Sequence, residues 1–203
     1  MKFGLIGGTG NIGSHILEEA LARGHHVLAI ARDPAKLAAH PNLIVQQGDT
    51  HAPEALATLL HGQDAILVSV KYVDNDIRQL IDAIRHSGVT RCLFVVGAGS
   101  LIRDDGRTHA EHMADRGINP PTSKAAALAL AALRQVTDLE WTAISPADTI
   151  FAGERTGSFR LGHDHLVADD QGVSRISRAD SAIAILDEIE DPKHLEARFT
   201  AAY

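Results

Sequence analysis

An α/β fold with a doubly wound parallel sheet follows from three observations on this sequence. The stretch Gly7-Gly8-Thr9-Gly10-Asn11-Ile12-Gly13 lies between an apolar run of strand length and a stretch of helical periodicity. Further along, apolar runs alternate with helix-like segments, the pattern of parallel strands joined by crossover helices. With 203 residues and 45% hydrophobic content, the chain is long enough to bury a core of its own. The expected strand order is 3-2-1-4-5-6, with a ligand crevice at the carboxyl ends of the strands where the order reverses.

The first strand is Lys2–Ile6, and the helix after the glycines has Ile12, Ile16, Leu17, Ala20 and Leu21 on one face, with Gly24 as its stop. His26–Ala31 reads as the second strand. Asp33 then caps a short helix with Pro34 at its first position. Leu43–Gln47 is the third strand, Pro53–Leu60 a helix and Asp64–Val70 the fourth strand. Asp76 to His86 is amphipathic through Ile77, Leu80, Ile81 and Ile84. Arg91–Val96 is the fifth strand, ending in Gly97-Ala98-Gly99-Ser100. A polar segment from Arg103 to Asn119 reads as loop, and an alanine-rich helix is expected from Lys124 to Val136. Glu140–Ser145 is the sixth strand, stopped by Pro146. Ser177-Arg178-Ala179-Asp180 spells a capping box for a helix to about Ile189, and Arg198–Ala201 suggests a last edge strand. Residues 1–203 are expected to form one domain, with 147–175 as irregular substrate-side loops.

Composition excludes several classes. A net charge of −7 argues against nucleic acid or an anionic membrane as partner, since both need a basic face. The lone cysteine, Cys92, forms no internal disulfide, which fits a reducing compartment. The start of the chain has no signal-peptide pattern and no run long enough to span a membrane, so the expectation is a cytoplasmic monomer or homodimer.

Strand, glycine turn and helix N-terminus together form a phosphate cradle. Glycines allow a tight turn and close backbone approach, while free N–H groups and the positive helix end face the anion. Gly7, Thr9, Gly10, Asn11, Ile12 and Gly13 are therefore the expected pyrophosphate contacts of a dinucleotide. Ser14 stands where a nucleoside-triphosphate loop needs lysine, which argues against that class. Arg32, the first polar residue beyond the second strand, and Lys36 suit a ribose 2′-phosphate. NADP(H) is accordingly the expected cofactor. NAD(H) is the alternative if Asp33 accepts from a 2′-hydroxyl instead of capping its helix. Asp49 suits an adenine amino group or an ordinary turn. Ser69 and Val70 should lie along the cofactor's sugar and Gly97 near the nicotinamide, with Pro146, at the end of the sixth strand, a further cofactor contact. Lys124 opposes its helix dipole, so either tertiary use at the nicotinamide ribose or solvent takes its side chain. His109-Ala110-Glu111-His112 and His163-Asp164-His165 lack metal-site spacing and read as solvated loop histidines, with no metal expected. Phe94 and Trp141 read as core, while Phe151, Phe159 and His163 are candidates for the wall of a flat pocket.

The glycine motif, Arg32, Gly48-Asp49, Ser145-Pro146-Ala147 and Ile176–Asp180 resemble the atypical short-chain dehydrogenase/reductase superfamily. Within it the chain is similar, nearly end to end, to the NmrA-like group with its flavin and biliverdin reductases. Gly153–Gly157 and Gly172–Ser177 resemble the bacterial putative NADH-flavin reductases. The resemblance implies a Rossmann fold, a nicotinamide cofactor and reductase activity. It departs from the superfamily in one respect: Pro120 stands four residues before Lys124, so the Tyr-x-x-x-Lys acid is absent. Ala98 and Ala147 replace the serine and histidine of the biliverdin/flavin reductases, leaving Ser100 as the nearby catalytic candidate. The expectation is an NAD(P)H-dependent reductase of a small conjugated substrate, such as a flavin, quinone or bilin. Such a substrate accepts hydride into its own ring system and draws its proton from water. A non-catalytic NAD(P) sensor is the second reading. A sugar-nucleotide epimerase or dehydratase is a third, opposed by the missing Tyr-Lys pair.

Overall fold

The computed structural model describes residues 1–203. In chain order its elements are β1 (Lys2–Ile6), α1 (Gly13–Ala22), β2 (His26–Ala31), β3 (Leu43–Gln47), α2 (Pro53–Leu60), β4 (Ala65–Val68), α3 (Ile77–Ser87) and β5 (Arg91–Val95). There follow α4 (His109–Asp115), α5 (Pro121–Leu133), β6 (Glu140–Pro146), β7 (Thr149–Phe151), β8 (Arg160–Gly162), β9 (Arg175–Ser177), α6 (Arg178–Glu190) and β10 (Ala197–Ala202).

Period-two alternation sorts the strand side chains into two layers. Phe3, Leu5, Leu67, Leu93 and Ile144 point to one face, where α1 and α6 pack. Ile66, Val68, Cys92, Phe94, Trp141 and Ala143 point to the other, beneath α2, α3 and α5. Phe94 and Trp141 are thus core, as their sequence setting predicts. Helices on both faces require parallel pairing, because each crossover must return the chain to the same edge direction. The sheet order is β3-β2-β1-β4-β5-β6-β10-β8, which contains the expected 3-2-1-4-5-6 and extends it by two strands. Register runs in step from Lys2 opposite His26 to Ile6 opposite Ile30, so the glycine turn leaves the sheet beside the end of β4.

Four local readings change. β10 is interior, paired parallel with β6 and antiparallel with β8. Its buried run Phe199–Ala202 reflects cover by β8, a strand too short to stand out in the sequence. The segment 103–119 is not all loop: Thr108 and Glu111 close a reciprocal capping box that starts α4. α5 begins at Pro121, three residues before Lys124, because proline at the first helical position loses no hydrogen bond and its φ is already set. At α6 the expected box is half made. Ser177 Oγ accepts from Asp180 N at 2.9 Å, but the Asp180 carboxylate turns to Thr156, Gly157 and the Tyr203 hydroxyl. Ser177 N donates instead to Tyr203 Oη at 3.1 Å, so the last residue of the chain occupies the place of the reciprocal partner.

The segment after β7 is tied down through Glu19 on α1. Arg155 donates to both Glu19 oxygens at 2.8 Å, and Arg23 adds a third bond. These bonds, Arg155 first, hold the Glu19 carboxyl at about 2, against 4.5 for the free group. A depressed folded-state value stabilises the fold above pH 4.5, and that contribution disappears as pH falls towards 2. We expect Glu19→Gln to cost about 2 kcal/mol at neutral pH, a figure kept low because Arg155 is largely exposed and screened. Urea melts from pH 7 to pH 3 should show the gap between variant and wild type constant above about pH 5 and narrowing below it.

Candidate cofactor-binding and active site

The site is built where β1, β4, β5 and β6 end together. Gly7 adopts φ +91° and lies so close to β4's extension that a Cβ there would stand 2.1 Å from Ser69 O. The turn therefore leans on the chain segment that opens the crevice, the place where the strand order reverses. Helix α1 starts behind it without a side-chain cap, its flanking residue being Ile12. The backbone N–H groups of Asn11, Ile12 and Gly13 donate to no group of the protein, whereas Gly10 N donates to Gly7 O at 3.0 Å and Ser14 N to Gly10 O at 2.9 Å. Free donors at a helix start are an anion site in waiting.

A cavity of about 590 Å³ opens from these donors. Of the residues that the sequence singles out, Gly10, Asn11, Ile12, Ser69, Val70, Gly97 and Pro146 line it. Gly7 and Gly13 shape the turn, and Thr9 is exposed and not part of the cavity wall. The missing Cβ of Gly97 would stand 3.0 Å from Ala126, so what this glycine directly permits is the close approach of α5. Ser145 Oγ fixes the same residue by donating to Gly97 O at 3.1 Å. In the rest of the wall Val95, Val96, Ala98, Ala147 and Met113 are small or apolar, while Lys71, Tyr72, His109 and Asp148 bring polar groups to it.

Arg32 follows β2, is exposed, makes no ion pair and is not part of the cavity wall. Asp33 is occupied as a cap: its Oδ1 accepts from Ala35 N at 3.3 Å and its Oδ2 lies 3.7 Å from Lys36 Nζ. Asp49 binds its own turn, accepting from His51 N at 3.0 Å and pairing with His51 Nδ1 at 2.8 Å. The His51 bonds lower its carboxyl pKa, with a smaller push from the positive charge of Arg32. Lys124 is exposed and is not part of the cavity wall. Ser100 also lies outside the wall, its Oγ accepting from Arg198 Nη1 at 2.9 Å. Arg198 is buried and ion-paired to Asp164, so Ser100 belongs to a charge cluster behind the site.

His109, Tyr72, Lys71 and Asp148 enter the site although sequence reasoning placed them elsewhere or passed over them. His109, read as a solvated loop histidine, is 5% exposed and lines the cavity. Its Nε2 lies 2.6 Å from Asp148 Oδ1. The Thr108-x-x-Glu111 spacing was a usable signal for the helix that carries His109 inward. Tyr72 lines the same cavity, and its hydroxyl is buried without a partner. Burial raises its pKa. Phe151, Phe159 and His163 are not in this wall, whereas Ile150 is. Phe151 packs edge-on against Tyr203, and His163 against His194.

Free α1 donors, a glycine turn against β4 and a cavity along three strand ends together define a Rossmann-type dinucleotide-binding protein. The NAD(P)H-binding family model matches residues 7–192, and the chain belongs to that family. YwnB of Bacillus subtilis is 36% identical over 98% of this chain and 97% of its own length. A solved structure named "putative epimerase", from Bacteroides thetaiotaomicron, superposes with a TM-score of 0.91 at 35% identity, covering 100% of this chain and 96% of that one. A "putative NADH-flavin reductase" from Streptococcus pneumoniae gives 0.81 at 30%, covering 100% and 99%. A "putative exported protein" from Burkholderia pseudomallei gives 0.86 at 39%, covering all of both chains. No helix here is long and apolar enough to cross a membrane.

Proposed function

We propose that this protein is an NADPH-dependent reductase that passes hydride to a small conjugated acceptor. The observation that carries the reading is the continuity of one cavity, from the unpaired N–H groups of Asn11 and Ile12 to the small-residue wall at Gly97, Ala98 and Pro146. The residues fit a nicotinamide dinucleotide. Asn11 and Ile12 would hold its pyrophosphate, Ser69 and Val70 would border its sugar, and Arg32 would meet the 2′-phosphate. When bound, that cofactor supplies the hydride. The protein contributes alignment and exclusion of water at a site that lacks the Tyr-x-x-x-Lys arrangement. A flat ring system suits such a wall, because its own conjugation takes up the charge. The single cysteine, Cys92, is buried and free, and a chain with no disulfide suits the cytoplasm we propose for it.

Titration calorimetry with NADPH and NADH, followed by NADPH oxidation with FMN, menadione and biliverdin, tests this reading. Turnover on at least one acceptor is expected. Tight binding with no turnover on any of them would overturn it in favour of a dinucleotide sensor. For cofactor choice, the capped Asp33 leaves Arg32 as the free group at the end of β2. Arg32→Ala should weaken NADPH by about 10–100-fold, the value of a charge-assisted contact, and change NADH by less than about threefold. Equal losses for both would remove the 2′-phosphate role.

A further inference from the structure

Asp148, two residues beyond Pro146, is the one acidic side chain in the cavity wall. Its geometry is set from behind. His109 Nε2 meets Asp148 Oδ1 at 2.6 Å, and the other ring nitrogen, Nδ1, faces Arg103 Nη1 at 3.3 Å. A guanidinium only donates, so Nδ1 is the acceptor and the ring proton sits on Nε2, directed at Asp148. Oδ1 is thereby taken. Oδ2 has no hydrogen-bond partner in the protein, and the side chain is 42% exposed. The His109 bond lowers the Asp148 carboxyl pKa, with smaller contributions from the charges of Arg103 and Arg116. The cavity therefore presents a fixed, ionised oxygen that only accepts hydrogen bonds. Asp148 N is itself held by Ser174 Oγ at 3.3 Å, so the main chain is anchored too.

We propose that Asp148 is the specificity-determining residue of this site, accepting a hydrogen bond from a ring N–H of the substrate, so that the acceptor class is an imide- or lactam-bearing heterocycle such as a flavin. This deepens the reductase reading and rests on it for the identity of the cavity as the acceptor site. Quinone oxygens only accept. Placed against Oδ2 they meet like partial charge and leave a partly desolvated carboxylate without a partner. An oxidised isoalloxazine has a single N–H, at N3, and that group fits.

The test compares lumiflavin with 3-methyllumiflavin, which differ at that N–H, by quenching of flavin fluorescence with and without saturating NADP⁺. Wild-type protein should bind lumiflavin about 10-fold more tightly. Asp148→Asn keeps the volume, and its amide oxygen is required by the His109 Nε2–H. The amide NH₂ then replaces Oδ2, turning an acceptor into a donor. In that variant the two flavins should bind within about twofold of each other, and kcat/KM for menadione should rise. Equal affinities in the wild type, no flavin binding, or a preference that persists in the variant would each overturn the proposal. The wild-type comparison needs no variant, so it stands even if the substitution perturbs folding. NADPH oxidation by any acceptor is scored separately. Flavin discrimination without turnover would sink the reductase reading and leave the Asp148 contact, whereas menadione turnover without flavin binding would do the reverse.

Discussion

Gly10→Val is expected to weaken NADPH binding by at least about 100-fold while leaving the thermal midpoint within about 3 °C of wild type. Both halves come from the same geometry. Gly10 is exposed and lies on the cavity wall. A Cβ there meets only Gly7 O at 3.3 Å and Ser69 O at 3.9 Å, and its φ is not positive, so the fold can tolerate a branched side chain. The isopropyl group would occupy the space in front of the Asn11 and Ile12 donors, displacing the anion from several charge-assisted bonds at once. Calorimetry with NADPH and a melt of the same sample measure both quantities. Unchanged affinity would remove the glycine turn as the cofactor site, and a collapsed midpoint would show that the position is structural.

Gly13→Ala should act the other way round. One methyl group at this buried position would stand 2.0 Å from Gly7 O and 2.8 Å from Gly7 C. Both are backbone atoms, so no side chain can rotate aside, and the turn must move away from α1. We expect a loss of about 4 kcal/mol, equivalent to a fall of about 10 °C in midpoint. Urea unfolding at pH 7 checks this. A loss below about 1 kcal/mol would mean that the turn and the helix are less closely packed than the structure shows.

These two glycines differ by three positions and look alike in the sequence, and the contrast marks how far local pattern reaches. Strand and helix identities were legible because they depend on near neighbours. Leu67 and Val68 differ in layer simply through alternation, and Pro53–Leu60 is bounded by a proline at one end and the last apolar contact at the other. The glycine turn was legible for the same reason, its strand, turn and helix all lying within a couple of dozen residues. Edges and directions were not. β10 reads as an edge strand until β8 pairs with it, and Asp180 reads as a capping partner until Thr156 and Tyr203 claim its oxygens. Ser100 is polar and well placed in the chain, yet its hydroxyl is turned towards Arg198, which lies 98 residues away.

The amino-acid sequence by itself determined the α/β class, the strand order at the switch point and the glycine turn that runs from Gly7 into the first helix. Periodicity, turn chemistry and helix starts are interactions among residues a few positions apart, so they are written locally. Tertiary structure alone decided which polar side chains face the cavity. His109 and Asp148 are 39 residues apart, and neither stands out until α4 folds inward and β6 ends beside it. Which oxygen of that carboxylate stays free depends on Arg103 setting the tautomer of the ring between them. Hydrogen-bond direction of this kind follows from how distant segments pack, and no local spacing specifies it.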